Sequence, residues 1–218
     1  MVVKCGGAVA VAAAEHIVAL AETEPVVVVH GAGPQISAEM ERRGLRVEFV
    51  GGRRVTTREA LEVVRDSMAD VNAALCGAIG DVALPLSGDA IGLKATQVAA
   101  LGLVGEPEPC APEVIFAALD EHLIPVVAPL ASGPLNVNAD EAAAALAVGL
   151  GAERILFLTD VPGVLHGGIV VPVVEAREAA KLLDAGAFEG GIVPKLRAAI
   201  TAARLGVRAE IGETAVVA

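Results

Sequence analysis

Short β-branched apolar runs alternate along the chain with longer segments in which apolar side chains recur at helical spacing. Val26 to Val29, Val82 to Leu86, Ile124 to Ala128 and Ile155 to Leu158 predict short strands buried on both faces. Val11 to Ala21, Pro34 to Arg43, Arg58 to Ala78, Pro112 to His122, Asp140 to Leu150 and Ile192 to Leu205 predict helices. Leu93 to Val104 and Gly167 to Val174 read as hairpins or excursions, and Val207 to Ile211 and Thr214 to Val217 as the last strands. Strands alternating with helices of this length imply right-handed crossovers and a mainly parallel sheet covered on both faces. With no internal repeat or linker, residues 1–218 are expected to form one α/β domain, a three-layer α/β/α sandwich. In such sheets ligands bind beyond the carboxyl ends of the strands.

Composition narrows the class of partner. Hydrophobic residues make up 55% of the chain and aromatic residues 2%, so Val, Leu, Ile and Ala must build the core. A formal net charge of −11 argues against nucleic acid or an anionic membrane as the main partner. It also requires any anion site to gather its cations locally. Cys5, Cys76 and Cys110 suggest reduced thiols and a cytoplasmic location. No signal-peptide pattern opens the chain, and the apolar runs are broken well short of a membrane span.

Polar clusters stand where the pattern changes from strand to helix. In Asn136-Val-Asn-Ala-Asp140, Asn138 suits an N-cap, Glu141 completes a pattern like a capping box, and Asp140 falls next to the positive end of the helix dipole. Lys4-Cys-Gly-Gly7 and His30-Gly-Ala-Gly-Pro34 sit at strand ends, where glycine lets backbone N–H groups cradle an anion. Tight turns alone would explain either cluster. GxxxxGK[ST] is absent, and the third glycine of a dinucleotide fingerprint is missing. Lys4 directly before Gly6 and Gly7 is more distinctive, a point charge suited to a phosphate. Lys195 lies in a first helical turn, where the dipole disfavours it. His30 reads as a packed histidine rather than a base; His16, His122 and His166 carry no assignment, and Asp66 and Asp70 read as solvated.

Taken in order, these clusters resemble the amino acid kinase family, and within it the acetylglutamate kinases, along nearly the whole chain. Val2-Val-Lys-Cys-Gly-Gly7 is similar to the family's opening strand, and His30-Gly-Ala-Gly-Pro34 to its HGGGP loop. Gly52-Arg-Arg-Val-Thr56 resembles the G-x-R-V-T segment, Val71-Asn72 a V-N pair in the following helix, and Leu86-Ser-Gly-Asp89 the L-S-G turn. Asn136-Val-Asn-Ala-Asp140 matches the N-x-N-A-D signature, the most specific of the set. Leu158-Thr-Asp-Val-Pro-Gly-Val-Leu165 resembles the nucleotide loop, and Gly190-Gly-Ile-Val-Pro-Lys195 the segment with a second catalytic lysine.

The resemblance implies a carbamate kinase-like fold and transfer of a phosphoryl group from ATP to the side-chain carboxylate of N-acetyl-L-glutamate, in arginine biosynthesis. Lys4, Lys195 and Asp140 would be catalytic, the lysines clamping charge and Asp140 orienting them. Gly7, Ala32, Gly33, Arg54, Asn136 and Asn138 would bind the amino acid; Gly6, Asp160, Val161, Gly163, Leu165 and Lys195 the nucleotide. Residues up to about 150 would serve the first and 151–218 the second, with Mg²⁺ carried by the ATP phosphates rather than by a protein metal site. Departures from the family pattern are Ala32 in place of a glycine, a compact stretch from Asp89 to Ala111, and Gly212-Glu-Thr214 following Ile211 as if a helix were deleted. The extra N-terminal helix of arginine-inhibited hexamers is absent, so the resemblance implies a homodimer paired through Arg58 to Ala78. Two other readings stay open: a sibling kinase acting on carrier-linked aminoadipate or glutamate, and a regulatory module that binds without turnover.

Overall fold

In the computed structural model, residues 1–159 and 161–218 are described, with residue 166 described in its backbone alone. The eight strands of the main sheet are β1 (Val2–Cys5), β2 (Val27–His30), β3 (Ala83–Ser87), β4 (Ile124–Ala128), β5 (Arg154–Leu158), β6 (Val173–Glu175), β7 (Arg208–Ile211) and β8 (Thr214–Val217). The helices are α1 (Ala14–Ala21), α2 (Gly33–Arg42), α3 (Arg58–Ile79), α4 (Glu113–Asp120), α5 (Ala139–Gly149), α6 (Ala176–Asp184) and α7 (Ile192–Arg204). The strand order is β6-β8-β7-β5-β1-β2-β4-β3, parallel from β7 to β3, with β8 running antiparallel to β7. The α/β sandwich expected from the alternating pattern is therefore present.

Two cores flank the sheet, and strand alternation deals side chains between them. Val2, Val27 and Val29 join the core under α5 and α7, while Val3, Cys5 and Val28 join the core under α1, α2 and α3. The same two-residue period turns Lys4 toward α5 and His30 toward α3. Thr57 caps α3 by accepting the Ala60 N–H at 3.2 Å. Ala95–Gln97, Val104–Pro107, Leu135–Val137 and Leu130–Ala131 make a second, four-stranded sheet, whose strand Leu135–Val137 leads directly into α5.

Several expectations need correction. The strand at Ala83–Ser87 is the sheet edge and only partly buried, which suits Pro85 because an edge position tolerates a missing N–H. Leu165–His166 and Ile169–Val170 form the anticipated hairpin, but Val173–Glu175 continues into the main sheet. Helix α6 was not anticipated, although Ala176, Ala179, Ala180 and Leu183 recur at helical spacing and pack on the core. Residues Val11–Ala13 form a 3₁₀ turn ahead of α1. No helix among the described residues is long and apolar enough to cross a membrane.

At the far end of α5, a Cβ on Gly149 would stand 2.1 Å from the Cys110 carbonyl oxygen. Alanine there would gain about 1 kcal/mol of helix propensity but overpack against backbone, at a cost of about 3 kcal/mol. Gly149→Ala is therefore expected to lower the urea-unfolding free energy by about 2 kcal/mol; a variant more stable than the parent would show that this close approach does not exist.

Candidate active site

The carboxyl ends of β1 and β2 and the amino ends of α2, α5 and α7 meet at one cleft. Asn138 starts α5 by accepting the N–H groups of Asp140 at 2.9 Å and Glu141 at 3.2 Å, which fixes Asp140 in the first turn. Lys4 reaches across from β1 and sets its Nζ 2.8 Å from Asp140 Oδ1, with both side chains under a tenth exposed. Lys195, on the first turn of α7, brings its Nζ to 3.8 Å from the same oxygen and 3.5 Å from the Gly191 carbonyl. A lysine at a helix amino end is opposed by the dipole by up to about 1 kcal/mol. The attraction to Asp140 at that separation is roughly 4 kcal/mol at an effective dielectric constant of 20, before desolvation. The carboxylate wins, and two ammonium groups share it.

The glycine loops close the floor. Gly31 N donates to Cys5 O at 2.9 Å, and Gln35 Nε2 donates to Gly7 O at 2.9 Å, stitching the β1 and β2 loops together. A Cβ on Gly7 would stand 2.5 Å from Gly31 O and 2.7 Å from the Ala32 Cα, so no other residue fits. Helix α2 begins at Gly33 and Pro34, with Ala32 at its N-cap, and offers its positive end to the same space. Behind the loops, His30 is fully buried; its Nε2 accepts from Asn72 Nδ2 at 3.0 Å while Asn72 Nδ2 also donates to Val126 O at 2.9 Å. Burial pushes the His30 imidazole down to about 4, so it is neutral near pH 7 and carries no charge into the site.

Arg54 forms the opposite wall. Its Nη2 donates to Ser37 Oγ at 2.8 Å and Gly33 O at 3.0 Å, and its guanidinium lies 4.5 Å from the centroid of the Phe49 ring. Burial lowers its pKa from the ordinary arginine value. Asn136 Nδ2 donates to Thr56 Oγ1 at 3.0 Å, and Thr56 in turn donates to Arg54 O at 2.7 Å.

Of the residues singled out in the sequence, Lys4, Gly6, Gly7, Ala32, Gly33, Arg54, Asn136, Asn138 and Asp140 line one cavity of about 230 Å³. Lys195 joins them through Asp140. Asn138 has both ends of its amide engaged within the chain, since its Nδ2 donates to Gly52 O at 2.9 Å. Val161, Gly163 and Leu165 follow β5, the strand beside β1; Asp160 lies outside the described residues. The short C-terminal turn packs on this loop: Val164 N donates to Thr214 Oγ1 at 2.8 Å and Glu213 N to Pro162 O at 2.7 Å. Glu141 differs from the capping-box expectation, because its carboxylate turns to Arg53, whose Nε lies 3.0 Å from both oxygens. Burial pushes the Glu141 carboxyl up even with that guanidinium beside it. The Gly52-Arg-Arg-Val-Thr56 match singles out Arg54, and nothing local in the sequence pairs Arg53 with a residue so distant in the chain.

A parallel sheet with two lysines, a shared carboxylate and two glycine loops at its carboxyl edge defines an α/β protein built to hold a transferable anion. The sequence profile of the amino acid kinase family matches residues 1–212. The chain belongs to that family. It is 38% identical to an acetylglutamate kinase of Roseiflexus castenholzii, over 96% of this chain and 87% of that protein. A second acetylglutamate kinase, from Gluconobacter oxydans, is 37% identical over 85% of this chain and 71% of its own length. Among solved structures, smu.665 from Streptococcus mutans UA159 superposes with a TM-score of 0.84 at 25% identity, covering 99% of this chain and 97% of that one. The carbamate kinase of Giardia, at TM-score 0.76 and 17% identity over 99% of this chain and 97% of its own, shares the fold.

The buried neutral His30 makes stability depend on pH. Its folded value of about 4 lies below the ordinary 6.5, so between those values only the unfolded chain binds the proton. The contribution is complete above pH 6.5 and is lost as pH falls toward 4, by up to about 3 kcal/mol. Urea unfolding of the parent and His30→Asn at pH 7 and pH 4.5 is expected to give a smaller pH slope in the variant. Equal slopes would mean that His30 titrates normally.

Proposed function

We propose that this chain transfers the γ-phosphoryl group of ATP to the side-chain carboxylate of N-acetyl-L-glutamate, the acyl-phosphate-forming step of arginine biosynthesis. The observation that carries the reading is the meeting of Lys4 and Lys195 on one Asp140 oxygen, beside two glycine loops. Similarity to acetylglutamate kinases over most of the chain supplies the substrate. A carboxylate oxygen attacks the γ-phosphorus, the bond to the bridging oxygen breaks, and its electron pair leaves on ADP. No proton has to be removed, which agrees with a neutral, buried His30.

The protein's work is alignment and charge neutralisation. Lys4 and Lys195 take the charge that builds on the equatorial oxygens, and the Gly7 and Gly33 amides complete the cradle. Arg54 meets the α-carboxylate with a planar fork that lysine could not reproduce. With its Nδ2 given to Thr56, Asn136 contributes its carbonyl oxygen, which accepts the N–H of the acylated amine. Asn138 acts by holding α5 and Gly52 rather than by touching substrate. The nucleotide enters as its Mg²⁺ complex along Gly6 and the Val161, Gly163 and Leu165 loop, with Asp160 assigned there by sequence. Residues up to about 150 serve the amino acid, and 151–218 the nucleotide. We further assign a cytoplasmic homodimer paired through α3, whose outward positions Ala69, Ala73 and Gly77 are small enough for close approach of a second copy.

Trapping the product with hydroxylamine in the presence of ATP and Mg²⁺ tests the reading. Hydroxamate is expected with N-acetylglutamate and not with glutamate, aspartate or aminoadipate. Lys4→Met and Lys195→Met should each lower kcat by about 10²–10³-fold. Silence across the panel in protein that still binds ATP would overturn the assignment, and near-normal turnover of either variant would remove that lysine from the mechanism.

A further inference from the structure

The hairpin that delivers Arg54, Phe49–Val50 paired with Arg53–Arg54, is fastened to both halves of the cleft. Arg53 Nε lies 3.0 Å from both Glu141 oxygens, and its Nη2 is 3.4 Å from Glu106 Oε1. Arg53 and Glu141 are the chain neighbours of Arg54 and Asp140, and their side chains are 19% and 25% exposed. Asn138 holds the same hairpin through Gly52 O. At its tip, a Cβ on Gly52 would stand 3.3 Å from the Pro194 Cβ, one residue before Lys195.

Arg53 is also a boundary. It lines both the 230 Å³ reaction cavity and a neighbouring groove of about 680 Å³ between the hairpin, α5, α6 and α7. A side chain shared by two cavities and clasped by Glu141 fixes the place of the hairpin between them.

We infer that the Arg53–Glu141 ion pair is a positioning element that latches the Phe49–Arg54 hairpin onto α5, holding Arg54 in place for the amino-acid carboxylate. The inference rests on the reading of this cavity as the amino-acid site. Neither residue touches the reacting atoms. The pair acts by setting how much of the protein has the hairpin closed, and substrate affinity falls with that fraction.

Four proteins test it: the parent, Arg53→Met, Glu141→Gln and the double variant. Without any ligand, hydrogen exchange of a peptide spanning residues 48–55 should quicken about tenfold in each variant, with the α5 amides unaffected. The KM for N-acetylglutamate should rise about tenfold while kcat changes far less. The double variant should be no worse than Arg53→Met alone, because the Arg53–Glu141 pair is already absent there. Arg53→Lys, which keeps the charge but cannot span Glu141 and Glu106 together, should fall between parent and Arg53→Met. Unchanged exchange in the hairpin, or an unchanged KM, would overturn the latch. A parent that forms no hydroxamate would defeat the proposed function instead, and the exchange measurement alone would then decide the latch.

Discussion

One carboxylate organises this molecule. Lys4 and Lys195 arrive from a central strand and from the first turn of a distant helix, and two ammonium groups in one cleft repel each other. Asp140 Oδ1, 2.8 Å from one and 3.8 Å from the other, turns that repulsion into a fixed pair of cations. Its placement is a local matter, since the Asn138 cap and the positive end of α5 both favour a negative charge in the first turn. Burial raises the stakes. With Lys4 and Asp140 almost wholly enclosed, loss of either partner would leave an uncompensated charge, which costs about 3–5 kcal/mol in buried pairs.

The sheet delivers the rest through its two-residue period. Val2 and Lys4 share one face of β1 and Val3 and Cys5 the other, so the residue that packs the α5 core and the one that reaches Asp140 are on the same side. Along β2 the same alternation puts His30 against Asn72 on α3, where it stays neutral and braces the glycine loop from behind. A slip of one residue in β1 would bury Lys4 on the α3 side and take its charge out of the cleft, and a slip in β2 would turn His30 away from Asn72. In a chain with a net charge of −11, that local concentration of cations is what makes an anion site possible.

Much of this is legible in sequence, for identifiable reasons. Short β-branched runs between helical patterns gave the layers, and the Asn136 to Asp140 segment marked the start of α5 because cap chemistry is local. Helix α6 was legible in the same way, since Ala176, Ala179, Ala180 and Leu183 recur at helical spacing, yet it went unread. Ala83–Ser87 looked like an interior strand, but which strand forms the sheet edge follows from chain order in three dimensions. Glu141 fitted a capping box on spacing alone; its pairing with Arg53 depends on a hairpin folding back from a remote part of the chain. The short turn at Gly212 to Thr214 read as a deletion beside the nucleotide loop. In the fold it packs directly on Pro162 and Val164 and closes that side with backbone and hydroxyl hydrogen bonds.

The most direct test of the central claim is the turnover of Asp140→Asn, which keeps the shape and cap of α5 but removes the shared charge. Steady-state kinetics with N-acetylglutamate and ATP, alongside a thermal melt to confirm folding, should give a kcat reduced by at least about 10²-fold, as for loss of a major electrostatic group, with the KM for N-acetylglutamate little changed. A folded variant with turnover near that of the parent would contradict the account, because the two lysines would then hold their places without the carboxylate.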